Sequence, residues 1–172
     1  SASSLFAYNA ILELTGPKGI RQVPIWEFYT GPGKTVRYHE EVMTAIRIRR
    51  RDYEGYSGCY IKYGKRNAME IATLGCACLV KLSLDKKVVE DMRIAYGVAA
   101  PTPVRCPETE KSVSGQAVSK ALLLQTGKGV LNEVNPRTSW RASKEFRLQL
   151  VEELAKRAMA QAIRNGGGEV DA

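Results

Sequence analysis

The sequence has a single histidine, no C-x-x-C pair, no long apolar run and no visible internal repeat, and each absence removes a class of function. His39 sits in a turn beside Glu40 and Glu41, with no nucleophile or second ligand near it in sequence. It reads as a solvated side chain rather than a catalytic base or metal ligand. No stretch approaches the roughly eighteen continuous apolar residues of a membrane span. SASSLFAYNAILEL has neither the basic segment nor the small-residue cleavage site of a signal peptide, so a cytoplasmic protein is expected. The cysteines, Cys59, Cys76, Cys78 and Cys106, are too sparse for a metal or iron-sulfur site. Cys76 and Cys78 lie two apart in a strand-like stretch and share a face, which suits buried reduced thiols. There is no serine in a strained elbow, no histidine-carboxylate pair on a helix and no paired acids with a defensible placement. A phosphate loop is missing too. EFYTGPGKTV offers Gly33-Lys34, but the position that must be glycine for the loop to curl is Phe28.

What is present is an ordinary apolar fraction and an excess of positive charge. At 172 residues and 44% apolar the chain can bury a real core. A net charge of +8 favours an anionic partner without naming it. The densest basic run is IRIRRRDYEGY, with Arg47, Arg49, Arg50 and Arg51 followed by Tyr53 and Tyr56. Arginines for phosphates and aromatics for bases would suit single-stranded nucleic acid. The alternation of VMTAIRIRR instead makes the arginines the wet face and frayed end of a strand, so a nucleic-acid partner is not expected.

The pattern along the chain is α+β. AILEL and IRQVPI flank the turn signal TGPKG as a hairpin, and WEFYTG follows as a short helical or irregular turn with Trp26 and Phe28 as core plugs. TVRYHEEVMTAIRI reads as one long or two broken strands, and RRRDYEGYSG as a boundary. GCYIKYGKR, ATLGCACLVKLSL and VVEDMRIAYGVAA then suggest a three-stranded antiparallel meander, with a helical turn possible in NAMEIA. Three prolines in APTPVRCPETEK are expected to end both ladder and helix. SKALLLQTGKGVLNEV is a short helix weakened by Gly127 and Gly129. Ser143 caps a longer one, KEFRLQLVEELAKRAMAQAIRN, with Phe146, Leu150, Val151, Leu154, Ala158 and Ala162 on one stripe. Residues 166–172 read as a flexible tail. Lys62, between Ile61 and Tyr63, either snorkels to solvent or offers its ammonium to an anionic ring oxygen or phosphate.

The succession ILELTGPKGIRQVPIWEFYTGPGKTV, EEVMTAIRI, YIKYGKRNAMEIATLGCA, RIAYGVAAPTPVRC and SWRASKEFRLQLVEELAKRA resembles the FAD-binding subunit of bacterial molybdenum hydroxylases, nearest the xanthine dehydrogenase type, from Leu5 to about Ala162. The resemblance implies that residues 1–52 are the C-terminal part of an FAD-binding domain and residues 53–165 a domain like the C-terminal domain of CO dehydrogenase flavoproteins. FYTGPGKT becomes a surface turn. The family's two glycine-rich pyrophosphate-binding segments would lie before Ser1. The resemblance also implies FAD as cofactor, and as partners an N-terminal FAD-domain portion, an iron-sulfur subunit and a molybdopterin subunit. Electrons would pass through the flavin to NAD, with no turnover by this chain alone. Val42 and Met43 are expected against the isoalloxazine or its ribityl end, where ordinary core burial is the alternative, and Lys62 beside the flavin ring. Arg141, Ser143 and Arg147 match a family motif that capping and surface charge would also explain.

Overall fold

A computed structural model describes residues 2–66 and 69–170. A short helix, α1 (Ala2–Ala7), leads into the predicted hairpin of β1 (Ile11–Gly16) and β2 (Gly19–Pro24), whose turn places Gly19 at φ +105°. One helical turn, α2 (Ile25–Phe28), and a small hairpin, β3 (Tyr29–Gly31) with β4 (Lys34–Thr35), follow. β5 (Val42–Arg47) returns along β1, so the first sheet runs β2-β1-β5, all antiparallel. TVRYHEEVMTAIRI is therefore two broken strands. Phe28 is buried as expected, but Trp26 is 48% exposed. A single helical turn can bury only one side, and Ile25 and Phe28 occupy it.

A 3₁₀ turn at Arg50–Asp52 carries the chain into the second sheet. Its centre is the predicted meander of β6 (Tyr56–Tyr63), β7 (Leu74–Leu82) and β8 (Val88–Gly97). Two two-residue strands, β9 (Val104–Arg105) and β10 (Gln116–Ala117), extend it along β8. Between β9 and β10 lies α3 (Pro107–Val113). The proline-rich stretch thus ends neither ladder nor helix. Val104 and Arg105 keep their N–H groups and pair at an edge, and Pro107 opens α3 where its missing N–H has no intrahelical partner to lose. Of the possible helical turn in NAMEIA, Asn67 and Ala68 lie outside the described residues, and residues 69–72 are not helical.

Two helices close the chain, α4 (Lys120–Gly129), capped by Ser119, and α5 (Lys144–Asn165), capped by Ser143, whose hydroxyl accepts from the Phe146 N–H. Gly127 is a contact point rather than a weak spot: a Cβ there would come 3.1 Å from the Glu152 carbonyl oxygen on α5. β7 is buried on both faces because its alternating residues serve two cores. Leu74, Cys76, Cys78 and Val80 pack under α4 and α5, while Ala77 and Leu79 meet Phe6, Leu12 and Leu14 on the other side. All four cysteines are free, and burial raises the thiol pKa of each. Past α5, Gly168 is buried beside Leu82 and Val170 packs on the helical core. Among the described residues no helix is long and apolar enough to cross a membrane.

The turn before β5 is held by Arg21, whose Nε and Nη2 donate to the two Glu41 carboxylate oxygens at 2.6 and 2.9 Å. The Tyr38 N–H adds a third bond to Glu41. Arg21 is the main cause of a Glu41 pKa lowered from 4.5 to about 2; burial opposes it and the Tyr38 N–H assists. A carboxylate depressed in the fold contributes stability above its unfolded pKa and loses it as pH falls through the folded one. The contribution of Glu41 is therefore present above pH 4.5 and fades toward pH 2. Acid unfolding of Glu41→Gln should show a shallower loss of stability over that window, followed by circular dichroism.

Candidate functional site

Lys62 lies where β6 has become one-sided. Cys59, Ile61 and Tyr63 turn to the core under α5, and Tyr60 and Lys62 turn to the opposite, open face. Across from them on that face stand small residues, Gly75 and Ala77 of β7 and then Gly97 and Ala95 of β8, of which Ala77 and Ala95 are buried in the core that includes Phe6. A Cβ at Gly75 would lie 2.9 Å from the hydroxyl of the half-exposed Tyr60, whose ring packs over this glycine. Lys62 is exposed and stands opposite Gly75. Its ammonium donates to the Glu70 carbonyl oxygen, which takes one of its three donors. Val42 and Met43 open β5 and are 65% and 37% exposed, so they are not core residues of this chain. The fold joins Val42 and Met43 on one strand and leaves Lys62 on the other sheet.

Beside Lys62 the connection from β6 to β7 and the residues before α5 face each other across a recess of about 280 Å³, with Lys65, Arg66, Met69, Glu70, Trp140 and Arg141 among its lining. Met69 is 94% and Trp140 81% exposed, and the Arg141 guanidinium sits 4.3 Å from the centre of the Trp140 ring. The Glu70 carboxylate accepts from the Arg66 N–H at 2.6 Å, which shapes the wall. From sequence, Lys65 and Arg66 read as the end of a strand-like stretch, residues 67–72 as a connection with a possible helical turn, and Arg141 as part of a motif that capping and surface charge would explain. The available signal was the pair of large apolar residues, Met69 and Trp140, inside polar connections.

Arg147, expected at the surface, is 2% exposed. Nε donates to the Thr73 carbonyl at 3.4 Å, Nη2 to the Ser139 hydroxyl at 2.8 Å and Nη1 to the Arg137 carbonyl. Thr73 itself is buried and its hydroxyl has no partner among the described residues. Replacing it by the isosteric valine should raise unfolding stability by about 1 kcal/mol in urea titration, because the desolvated hydroxyl is removed at little change of shape.

The basic run is internally compensated. Arg47 donates to Glu13 at 2.6 and 2.8 Å, Arg49 to Asp52 at 2.8 Å and Arg50 to Glu54 at 2.6 Å. Tyr56 is engaged with Asp91 and Arg93 rather than presented as a stacking platform. Arg51 and Tyr53 of the same run stay exposed. Among the described residues no group of three or more His, Cys, Asp or Glu could hold a metal ion.

Comparison with known proteins separates the remaining possibilities. A family model described as the CO dehydrogenase flavoprotein C-terminal domain matches residues 59–162. The chain belongs to that family. It is 39% identical over 170 residues to the xanthine dehydrogenase FAD-binding subunit of Escherichia coli O157:H7, covering 99% of this chain and 58% of that one. The glyceraldehyde dehydrogenase medium chain of Sulfolobus acidocaldarius is 31% identical over 157 residues, which is 91% of this chain and 54% of the relative. Among solved structures, carbon monoxide dehydrogenase from Hydrogenophaga pseudoflava superposes with a TM-score of 0.87 at 26% identity, over 95% of this chain and 56% of that one. The chain therefore spans somewhat more than half the length of the relatives it matches.

A flavin ring is planar, apolar on its faces and rich in acceptors along one edge. The set around Lys62 is of that kind: an ammonium, the Arg66 and Arg141 guanidinium groups, and exposed Met69 and Trp140. It fits the ring end of FAD. The Gly31–Gly33 stretch is the exposed tip of the β3–β4 hairpin, in keeping with the rejection of a phosphate loop there.

Proposed function

We propose that this chain is part of the FAD-binding subunit of a molybdenum-containing hydroxylase of the xanthine dehydrogenase type. In this reading residues 1–52 complete a flavin domain supplied mainly by an N-terminal portion, and residues 53–165 form the C-terminal domain. Lys62 faces the flavin ring, and Val42 and Met43 contribute from β5. Neighbouring subunits carry the iron-sulfur clusters and molybdopterin, and NAD is the acceptor. The flavin, when bound, supplies the redox step between one-electron carriers and a hydride acceptor. This chain's residues bind and orient it, exclude water from one side and place a positive charge near its ring. The observation that carries the reading is the 39% identity to an FAD-binding subunit along 99% of the chain. The exposed cationic and apolar set around Lys62 supports it.

Native mass spectrometry of the purified assembly tests it. The expected result is a mass increment equal to FAD, accompanied by partner polypeptides and a flavin absorption spectrum. A chain joined to its N-terminal portion that stays free of flavin in excess FAD would overturn it.

A further inference from the structure

Arg147 heads the large side chains that are buried outright, yet its guanidinium meets no carboxylate among the described residues. Burial is the main reason its pKa falls below the ordinary arginine value, and the nearby Arg137 and Arg141 charges add to it. A charge in that position is costly, and an apolar side chain of similar length would fill the space without the cost. What arginine adds is the planar fork, whose donors reach acceptors on separate stretches of chain. Thr73 ends the connection from β6 to β7, and Arg137 and Ser139 belong to the stretch before α5. Those two stretches are the facing walls of the recess beside Lys62.

We propose that Arg147 is a positioning residue that clamps the two walls together from beneath, and so fixes the Glu70 carbonyl that holds the Lys62 ammonium. The part of this that concerns the flavin rests on the reading of Lys62 given above. The clamp is a local device. Residues 139 and 142 close a single β-bridge, with Ser139 N–H to Ala142 O at 3.0 Å and the return bond at 3.2 Å, and the Thr73 N–H donates to the Tyr63 carbonyl at 2.8 Å. The first two bonds lie within one wall and the third within the other, so these three amides report whether each wall keeps the shape that the clamp imposes.

Hydrogen exchange at Thr73, Ser139 and Ala142 should speed up about tenfold in Arg147→Met, while the central amides of β7 exchange as in the unaltered protein, because opening is local. Arg147→Lys should not restore protection, since one ammonium cannot span acceptors on both walls. If Arg147→Met proves too unstable to study, Ser139→Ala removes one acceptor of the guanidinium, together with a 3.3 Å bond from the Arg141 N–H on the same wall, and should still speed exchange at Thr73 on the other. In the FAD-loaded subunit, Arg147→Met should lower the flavin midpoint potential in the same direction as Lys62→Met. Unchanged exchange in a folded variant, or full protection with lysine, overturns the clamp. Faster exchange with a potential moved by Lys62→Met but not by Arg147→Met overturns its link to Lys62. Faster exchange with neither potential moved supports the clamp and overturns the flavin reading of Lys62.

Discussion

Asp52→Ala should lower the stability of the fold by about 1.5–3 kcal/mol, because it takes the more buried of two carboxylates from a guanidinium that has been withdrawn from water. Asp52 is 3% exposed at the end of the 3₁₀ turn between the sheets, and three side chains from different elements converge on it. Asn9 Nδ2 donates from the end of α1 at 2.8 Å, Arg49 Nε at 2.8 Å and Arg93 Nη1 from β8 at 3.3 Å. Arg93 also reaches the Asp52 and Ala7 carbonyls and the Tyr56 hydroxyl, and its Nε lies 3.4 Å from the half-exposed Asp91 carboxylate, so removing Asp52 leaves a nearly buried cation with one weaker carboxylate partner. Burial is the largest influence on the Asp52 pKa and raises it, but the Asn9, Arg49 and Arg93 contacts together outweigh it and the net shift is downward. Its stabilisation is thus complete above the ordinary value of 3.8 and is lost as pH falls below it. Thermal unfolding of Asp52→Ala should show a midpoint roughly 5 °C lower at neutral pH. Asp52→Asn should lose less, since it keeps an acceptor, and should unfold in acid with less pH dependence than the unaltered chain. Arg50→Ala is the control. Its pair with Glu54 is exposed on both sides, and its loss should cost about 0.5 kcal/mol or less. A similar midpoint for Asp52→Ala and Arg50→Ala would mean that the two sheets are not joined through Asp52.

This network lies on the stretch that reads, from sequence, as a charged boundary. RRRDYEGYSG has the composition of a linker, and nothing local reveals that Asp52 will meet an arginine forty-one positions later. Local signals served well where local chemistry decides. The β1–β2 hairpin follows from TGPKG between alternating strands, the meander from three runs with polar turns, and the start of α5 from Ser143. They failed where side-chain chemistry argued against position. Arg147 lies three and four residues before Leu150 and Val151, squarely on the buried stripe of α5, so helical periodicity alone would bury it. Its charge argued for the surface, and the carbonyls that make burial tolerable come from residues 73 and 137, which no helical pattern can announce. The same limit applies to the candidate site. Lys62 is legible as a lysine in a strand, but the recess beside it is assembled from two connections more than sixty residues apart, Met69–Ile71 and Trp140–Arg141. Val42 and Met43 look like core residues by composition, and only the position of β5 at the edge of its sheet explains their exposure.

Lys62→Met, in the complete subunit loaded with FAD, should make the flavin harder to reduce. The two-electron reduced ring carries negative charge along the edge that holds its carbonyl oxygens, and a fixed ammonium there stabilises the reduced form more than the oxidised one. A hydrogen bond from a charged donor contributes about 1.5–3 kcal/mol. For a two-electron couple that is a midpoint potential lower by about 30–65 mV. The geometry favours the upper part of the range. Lys62 is anchored by the Glu70 carbonyl on a rigid strand that faces Gly75, so little ordering remains for the flavin to impose. Methionine keeps most of the apolar stem and removes the charge together with its donors. Arg66→Met offers a comparison on the same recess, with a guanidinium directed to the Met69 carbonyl, and should move the potential less because its charge is committed to shaping the wall. Redox titration against reference dyes measures both. Equal potentials for Lys62→Met and the unaltered protein, with FAD still bound, would show that Lys62 stands away from the ring and that the chain contributes a wall without tuning the cofactor.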